Sequence, residues 1–334
     1  MRVFTITERE AGLRLDKVAM RYLPNATKSF IYKMLRKKNI TLNGKKAEGN
    51  ERVSKDDEIK FFLSEETIEA MKGSTDSFEG KQPVVSSGGH TPFSILYEDE
   101  HVLIMNKPAG MLSQKAKRED ISLIEHMTEY LFSTGSLTNE SYEMFHPGVC
   151  NRLDRNTSGI ILAGKTTYGL QELSELLSSR TLEKYYLTIV KGTLETKQLL
   201  SGYLIKEGTH NKVTILTEPV AGASEIKTEY EPIFSNGDYT LLRIHLITGK
   251  SHQIRAHLAS IGHPVIGDGK YGEPALNQKL KRKYQLQNHL LHAYEICFGQ
   301  TGEHLTALEG KVIKAQPPKL FMKILKAEFP DAVI

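Results

Sequence analysis

Apolar positions recur along the chain at two spacings, three to four residues and two residues, and the two alternate. Leu15, Val18, Ala19 and Tyr22 set a helix within residues 14–23, which Pro24-Asn25 ends. Thr27 is placed to cap a second helix with Phe30, Ile31, Met34 and Leu35 on its buried face. Ile40-Thr41-Leu42 reads as a strand, Asn43-Gly44 as a tight hairpin turn, and Val53 and Ile59 to Leu63 as further strand material. Strands are also expected at His101–Met105, Ile160–Ala163, Lys184–Gly192, Asp238–Leu246 and Leu290–Phe298. Helices are expected over 120–132 (stripe Ile121, Ile124, Leu131) and 167–179 (stripe Leu170, Leu173, Leu176, Leu177), with a Ser/Thr/Asn-rich loop over 133–143. Weak alternation over 203–231, interrupted by Gly208-Thr209-His210-Asn211, suggests hairpins. The later part of residues 247–262 reads as a helix capped by Gly262, with Ser251, Ile254/Arg255 and Leu258 on one side, and a short helix surrounds Phe321 near the end. Periodicity alone therefore supports a mixed α and β chain.

Its 334 residues leave room for two domains and a sizeable core, and 39% apolar with 25% charged content is ordinary for a globular protein. No run of 18 apolar residues suggests a membrane span, and the first residues lack a signal-peptide core. Cys150 and Cys297 form no framework and fit a reducing cytosol. Neither a zinc-type Cys/His spacing nor a phosphate loop or dinucleotide fingerprint is present, so neither a metal nor a nucleotide cofactor is expected. Charge is uneven. Residues 1–63 carry 15 Lys/Arg against 8 Asp/Glu, 64–92 carry 2 against 5, and the remainder is balanced at 27 each. We expect a basic head (1–63), a flexible acidic linker (64–92, ending Ser86-Ser87-Gly88-Gly89) and a catalytic body (93–334).

Two regions carry candidate chemistry. From Lys28 to Lys46 there are seven basic residues and no acid, with Lys33, Arg36 and Lys37 on one helix face. A charge run is usually a solvated face, but here a basic hairpin follows at once, which suits phosphate binding. In the body, Asn151 to Ala163 sets a polar loop before a buried strand, with Asp154 between Arg152 and Arg155. That carboxylate either braces the loop or acts as a nucleophile or base. Arg255 falls beside the buried stripe of its helix and needs an anion, for which Asp154 is a candidate. Lys107 is either an exposed turn lysine or a phosphate partner. Of Tyr185 and Tyr186, neighbours on a strand, one points into whatever site exists. The patch Lys279 to Lys283 is solvated or meets RNA.

The head, with Arg14-Leu15-Asp16, the stretch Lys28 to Lys37, Ile40 to Lys45 and Asp56 to Ile59, resembles the small RNA-binding domain of the S4 type. Three words in the body are Arg152-Leu153-Asp154 with Thr157-Ser158-Gly159; Lys184 and Tyr186 with Val190-Lys191-Gly192; and Thr248-Gly249 with His252-Gln253-Ile254-Arg255 and Gly267-Asp268. Together they resemble the pseudouridine synthases that modify ribosomal RNA, the RluA/RluC/RluD branch, most of all its RluC-type members. The resemblance implies an α+β catalytic domain on a mixed, largely antiparallel sheet, behind a small N-terminal α+β RNA-binding domain. It implies that Asp154 is the catalytic aspartate, Tyr186 the active-site tyrosine, Arg255 the partner of Asp154, and Arg152 a neighbour of a flipped base. Asn151, Lys250, His252 and Gln253 would also meet the substrate, while Lys28, Lys33, Arg36, Lys37 and Lys45 would hold RNA. The chain departs from the family at Asn151, where a His is usual, at Lys250, where an Arg is usual, and at Gln114-Lys115, where His-Pro is frequent. The expectation is a cytoplasmic, cofactor-free isomerase acting on large-subunit ribosomal RNA as a monomer, with no membrane partner. Competing readings are a synthase acting on transfer RNA, an idle RNA-binding or ribosome-assembly protein, and a nucleoside hydrolase using Asp154.

Overall fold

The computed structural model describes residues 1–7, 10–72, 91–117, 119–206 and 212–332. The Ser86–Gly89 tract and the Gly208–Asn211 interruption lie outside the described residues. The chain divides into two compact units, Met1–His90 with Met127–Gly148 and Gly164–Gln171, and Thr91–His126 with Val149–Ala163 and Glu172–Ile334. Among the described residues, no helix is long and apolar enough to cross a membrane.

In the first unit a four-stranded antiparallel sheet runs in the order Arg2–Thr5, Glu58–Phe61, Ile40–Leu42, Lys45–Lys46. Helices Leu15–Tyr22 and Lys28–Arg36 bury Leu15, Val18, Ala19, Ile31, Met34 and Leu35 with Ile40, Ile59 and Phe61. The Thr27 hydroxyl accepts the Phe30 amide at 3.2 Å, the expected cap. Asn43 and Gly44 both have positive φ, 50° and 73°, as a two-residue hairpin loop between Leu42 and Lys45 requires.

The stretch read as the start of the linker is ordered at its beginning. Glu65–Lys72 is a helix. Ile68 is buried and Met71 packs against the same core, three residues apart and so on one face. Glu65 and Glu69, one turn apart, hold Arg2 at 2.7 and 2.9 Å. These two acids, counted in the expected acidic linker, thus pair with the first strand of the same chain. The expected loop over 133–143 likewise contains a helix, Asn139–Met144, started by a capping box between Thr138 and Ser141. The helix expected over 120–132 runs Leu123–Ser133. Leu123, Met127 and Leu131 are buried on it, while Ile121 lies before it and is exposed.

Among the described residues, the second unit is built on an 11-stranded sheet, mixed and largely antiparallel. Val213–Leu216, Gln198–Lys206, Ser224–Ser235, Tyr239–Leu246, Glu183–Lys191 and Leu291–Cys297 pair antiparallel in that order. Leu291–Cys297 then pairs parallel with Ser158–Gly164 through His292 opposite Ser158 and Ala293 opposite Gly159. Two apolar clusters contain its inward residues. Ile160, Leu162, Leu173 and Leu176 belong to one, while Leu187, Ile189, Leu241 and Phe321 belong to the other.

Gly159 shows why its word needs a glycine. Its φ is 116°, and a Cβ there would sit 2.2 Å from the Ala293 carbonyl oxygen. The two parallel strands approach too closely for any side chain. Gly159→Ala is expected to cost about 2–4 kcal/mol, from backbone strain and overpacking together. A urea midpoint equal to that of the unchanged protein would refute this account.

Candidate active site

Asp154 lies on the loop entering the strand Ser158–Gly164, and the surrounding sequence fixes that loop from several sides. Lys107 is fully buried and its Nζ donates to the carbonyls of Pro108 (2.9 Å), Met111 (2.9 Å) and Arg155 (3.2 Å). It is neither the exposed turn lysine nor the phosphate partner considered from sequence, but a clamp between two turns. Burial pushes its ammonium down to about 7, against the pull of Asp154. Ser113 accepts the Leu153 amide and donates to the Leu153 carbonyl. Thr157 bonds His289 at 2.7 Å, and Ser158 bonds His292 Nδ1 at 2.8 Å. His292 Nε2 lies 2.9 Å from the Ala315 carbonyl, which only accepts, so Nε2 carries the proton and Ser158 donates to Nδ1.

Opposite this loop, the helix Gln253–Ser260 presents Arg255. Its Nε and Nη2 bond both oxygens of Asp268 at 2.7 and 2.8 Å, and its Nη1 bonds Asp154 Oδ2 at 2.6 Å. Arg255 does need an anion, and it has two. Asp268 is fully buried, and burial alone would raise its carboxyl. The Arg255 bonds and charge, with the Lys270 amide, outweigh that and hold it below the usual carboxylate range. The same two carboxylates raise Arg255 above its usual value against burial. Asp154 differs from Asp268 in being 26% exposed, and its Oδ1 makes no hydrogen bond among the described residues.

Asp154 and Arg255 face a pocket of about 1000 Å³ that Tyr186, Arg152, Lys184, Lys250 and His252 also line. Tyr186, not Tyr185, points inward. Burial, then the charge of Asp154, raises its phenol. It therefore enters as a neutral ring with a donor hydroxyl, and its oxygen is a poor resting base. Tyr185 instead stacks under Arg243, 3.8 Å from ring centre to guanidinium, and beside His245. Arg152 and Lys250 are exposed at the pocket, and neither has an ion pair among the described residues.

Two residues expected to meet substrate are otherwise engaged. Gln253 is buried; its Oε1 accepts from Thr248 and the Lys250 amide, and its Nε2 donates to Lys227 and Thr228. All four of its hydrogen-bonding positions are filled, so it shapes the loop and has no capacity left for RNA. Asn151 joins the strand backbone, donating to the Ile160 carbonyl and accepting the Leu162 amide. Asp268 and Tyr271 were not singled out from sequence as site residues. The only signal for Asp268 was its place in the Gly267-Asp268 word.

The predicted basic residues Lys28, Lys33, Arg36, Lys37 and Lys45 are all exposed in the first unit. None makes an ion pair among the described residues, although Lys28 lies 5.8 Å from the Tyr32 ring centre. On the tail side of the second unit, Lys279, Lys281, Arg282 and Lys283 are exposed on the helix Pro274–Tyr284, with Lys283 held by Glu328.

Three buried histidines, His257, His289 and His292, are each pushed down to about 4 by burial. Their folded-state values thus lie below the ordinary 6.5, so the unfolded chain binds more protons between those limits. The stability their neutral burial contributes is complete above pH 6.5 and is lost as pH falls towards 4. Calorimetric unfolding near pH 5.5, in buffers of different ionisation enthalpy, is expected to show uptake of roughly two to three protons. Proton release at that pH would contradict the burial argument.

A basic face on the head without ion pairs among the described residues, and a carboxylate in a cation-rimmed pocket, suit a class of protein, an enzyme that works on RNA. The RNA pseudouridylate synthase family model matches residues 101–260, and the S4 domain model matches residues 13–59. A Mycoplasma genitalium protein described as an uncharacterized RNA pseudouridine synthase is 30% identical over 302 residues, covering 88% of each chain. The chain belongs to the RNA pseudouridine synthase family and carries that enzymatic activity on an S4-headed chain. The ribosomal large subunit pseudouridine synthase C of Escherichia coli is 28% identical over 323 residues, covering 95% of this chain and 93% of its own. The solved structure of human RNA pseudouridylate synthase domain containing 4 matches with TM-score 0.56 at 19% identity, over 70% of this chain and 91% of that one, and shares the fold.

Proposed function

We propose that this enzyme converts specific uridines of large-subunit ribosomal RNA to pseudouridine, with Asp154 as the reacting carboxylate. The observation that carries the assignment is the asymmetry of Asp154, with Oδ2 held by Arg255 at 2.6 Å and Oδ1 without a hydrogen bond among the described residues at an open pocket. Support for the substrate comes from the similarity to enzymes named for the large subunit.

The reaction breaks the bond from uracil N1 to the ribose, turns the base and joins its C5 to the same carbon. All atoms stay, apart from the C5 proton that is lost as one is gained at N1. Asp154 Oδ1 attacks the ribose or the ring, or stabilises the charge that develops, and takes part in the proton transfer. Tyr186 gives the uracil a wall to rest on. A uridine reaches Asp154 only by leaving its stack, at a cost of a few kcal/mol, and Arg152 offsets this by filling the gap. Lys250 replaces a bidentate arginine clamp by a point charge and keeps phosphate attraction.

In this reading residues 1–63 are the RNA-binding head, 64–92 the connection and 93–334 the catalytic domain. The enzyme works as a cytoplasmic monomer, and Lys28, Lys33, Arg36, Lys37 and Lys45 supply salt-sensitive phosphate contacts. The test is single-nucleotide mapping of pseudouridine in ribosomal RNA from cells with and without the enzyme. Positions lost without it and restored by the wild type support the substrate. Loss confined to transfer RNA would overturn it.

A further inference from the structure

The reading of Asp154 as the reacting group leaves one neighbour unexplained. His252 has the left-handed φ of 58°, directly ahead of the helix that carries Arg255. That conformation is uncommon for a histidine, and such strain concentrates at functional positions. Its ring is largely buried, lines the pocket and brings Nε2 to 3.8 Å from Asp154 Oδ2. That distance is too long for a good hydrogen bond, and the oxygen already accepts from Arg255.

The partner of the other nitrogen bears on which way the ring is protonated. His252 Nδ1 lies 2.9 Å from the Tyr271 hydroxyl, and that hydroxyl accepts the Val213 amide, also at 2.9 Å. Val213 N–H can only donate. If Nδ1 also donated, two hydrogens would converge on the phenol oxygen and the tyrosine's own hydrogen would have no acceptor among the described residues. The arrangement that uses the phenol as both acceptor and donor has Val213 donating to Tyr271 and Tyr271 donating to Nδ1, which leaves the ring hydrogen on Nε2, on the side of the pocket.

We propose that Tyr271 locks His252 in the Nε2–H tautomer, so that it presents a fixed hydrogen-bond donor to an acceptor oxygen of the flipped uridine beside Asp154. His252 is then a substrate-contacting residue and Tyr271 a positioning residue. The acceptor is a uracil carbonyl or a ribose oxygen, since Asp154 borders both in the proposed pose. Burial favours the neutral ring, partly opposed by Asp154 and reinforced by Arg255 and Lys270. A neutral ring with a settled tautomer can hold a polar oxygen without adding a charge next to the carboxylate.

The test begins with histidine ¹⁵N shifts of the full chain, assigned by loss of the His252 signals in His252→Asn. The expected pattern is an unprotonated Nδ1 and a protonated Nε2, collapsing towards a tautomer mixture in Tyr271→Phe. A protonated Nδ1 in the wild type overturns the proposal, whether or not Asp154 is the reacting group. Kinetics follow on whichever RNA the wild type modifies. Tyr271→Phe is expected to lower kcat about 10-fold with KM little changed. His252→Gln, whose amide reaches the Nε2 position, retains several-fold more activity than His252→Asn, whose shorter amide does not. Equal losses in Gln and Asn overturn the donor role. A 2′-deoxyuridine or 4-thiouridine target then locates the acceptor, because the variant's penalty shrinks with the analogue that lacks it. A penalty unchanged by both analogues, and by 2-thiouridine, would also overturn contact with the nucleoside.

Discussion

Asp154→Asn is expected to remove pseudouridine formation, with kcat down by at least about 10³-fold and RNA affinity within about 2-fold. Arg255 explains why this substitution isolates the chemistry. Its Nη1 bond to Oδ2 is available from an asparagine oxygen as well, and its two bonds to Asp268 are untouched. The fold and the pocket therefore persist, and stability should change by only about 1 kcal/mol. What disappears is the charge and nucleophilicity of the second oxygen. An amide there neither attacks the sugar or ring nor carries a proton as a carboxylate does. Single-turnover pseudouridine formation at saturating RNA measures this step directly. A rate within 10-fold of wild type would sink Asp154 as the reacting group. Full RNA binding with no isomerisation separates this reading from that of an idle assembly factor, which would show no activity to lose. Free uracil released by the wild type would favour a hydrolase instead.

The central pair was legible because its cues are local. Asp154 stands in a polar loop just before a strand buried throughout, and Arg255 follows the helical period onto the inner side. Tyr186 was separable from Tyr185 because neighbours on a strand diverge, and the family word chose between them. Local cues also placed Thr27 as a cap and Asn43-Gly44 as a turn. The failures share a cause. Lys107, Asp268 and Gln253 are polar residues whose burial depends on partners brought in by the fold, among them Arg155 and Lys227. A single sequence shows a lysine or a glutamine but not the carbonyls around it. The helix Glu65–Lys72 was missed for the same reason. Its acids counterbalance Arg2, more than sixty residues away, while its apolar stripe is only Ile68 and Met71.

Asp268→Asn is expected to destabilise the protein more than Asp154→Asn and to impair catalysis too. Asp268 is fully buried and holds Arg255 by two bonds while its Oδ1 accepts the amides of Lys270 and Tyr271. An asparagine offers one oxygen where two are needed, and its amide hydrogens face guanidinium hydrogens. Arg255 is left buried with a single carboxylate, so the cost is about 3–5 kcal/mol, the usual penalty for breaking one side of a buried ion pair. For a domain of this size that lowers the melting temperature by roughly 6–20 °C. Asp154 would then be drawn further onto Arg255 and away from the pocket, lowering kcat as well. Replacing both members, Arg255→Met with Asp268→Leu, removes the half-paired guanidinium and should recover much of the stability while leaving activity low. That divergence matters because a merely structural pair would regain activity along with stability. Recovery of both in the double variant would show that Arg255 acts only as a brace, whereas stable protein with little turnover would fix its role at the Asp154 carboxylate.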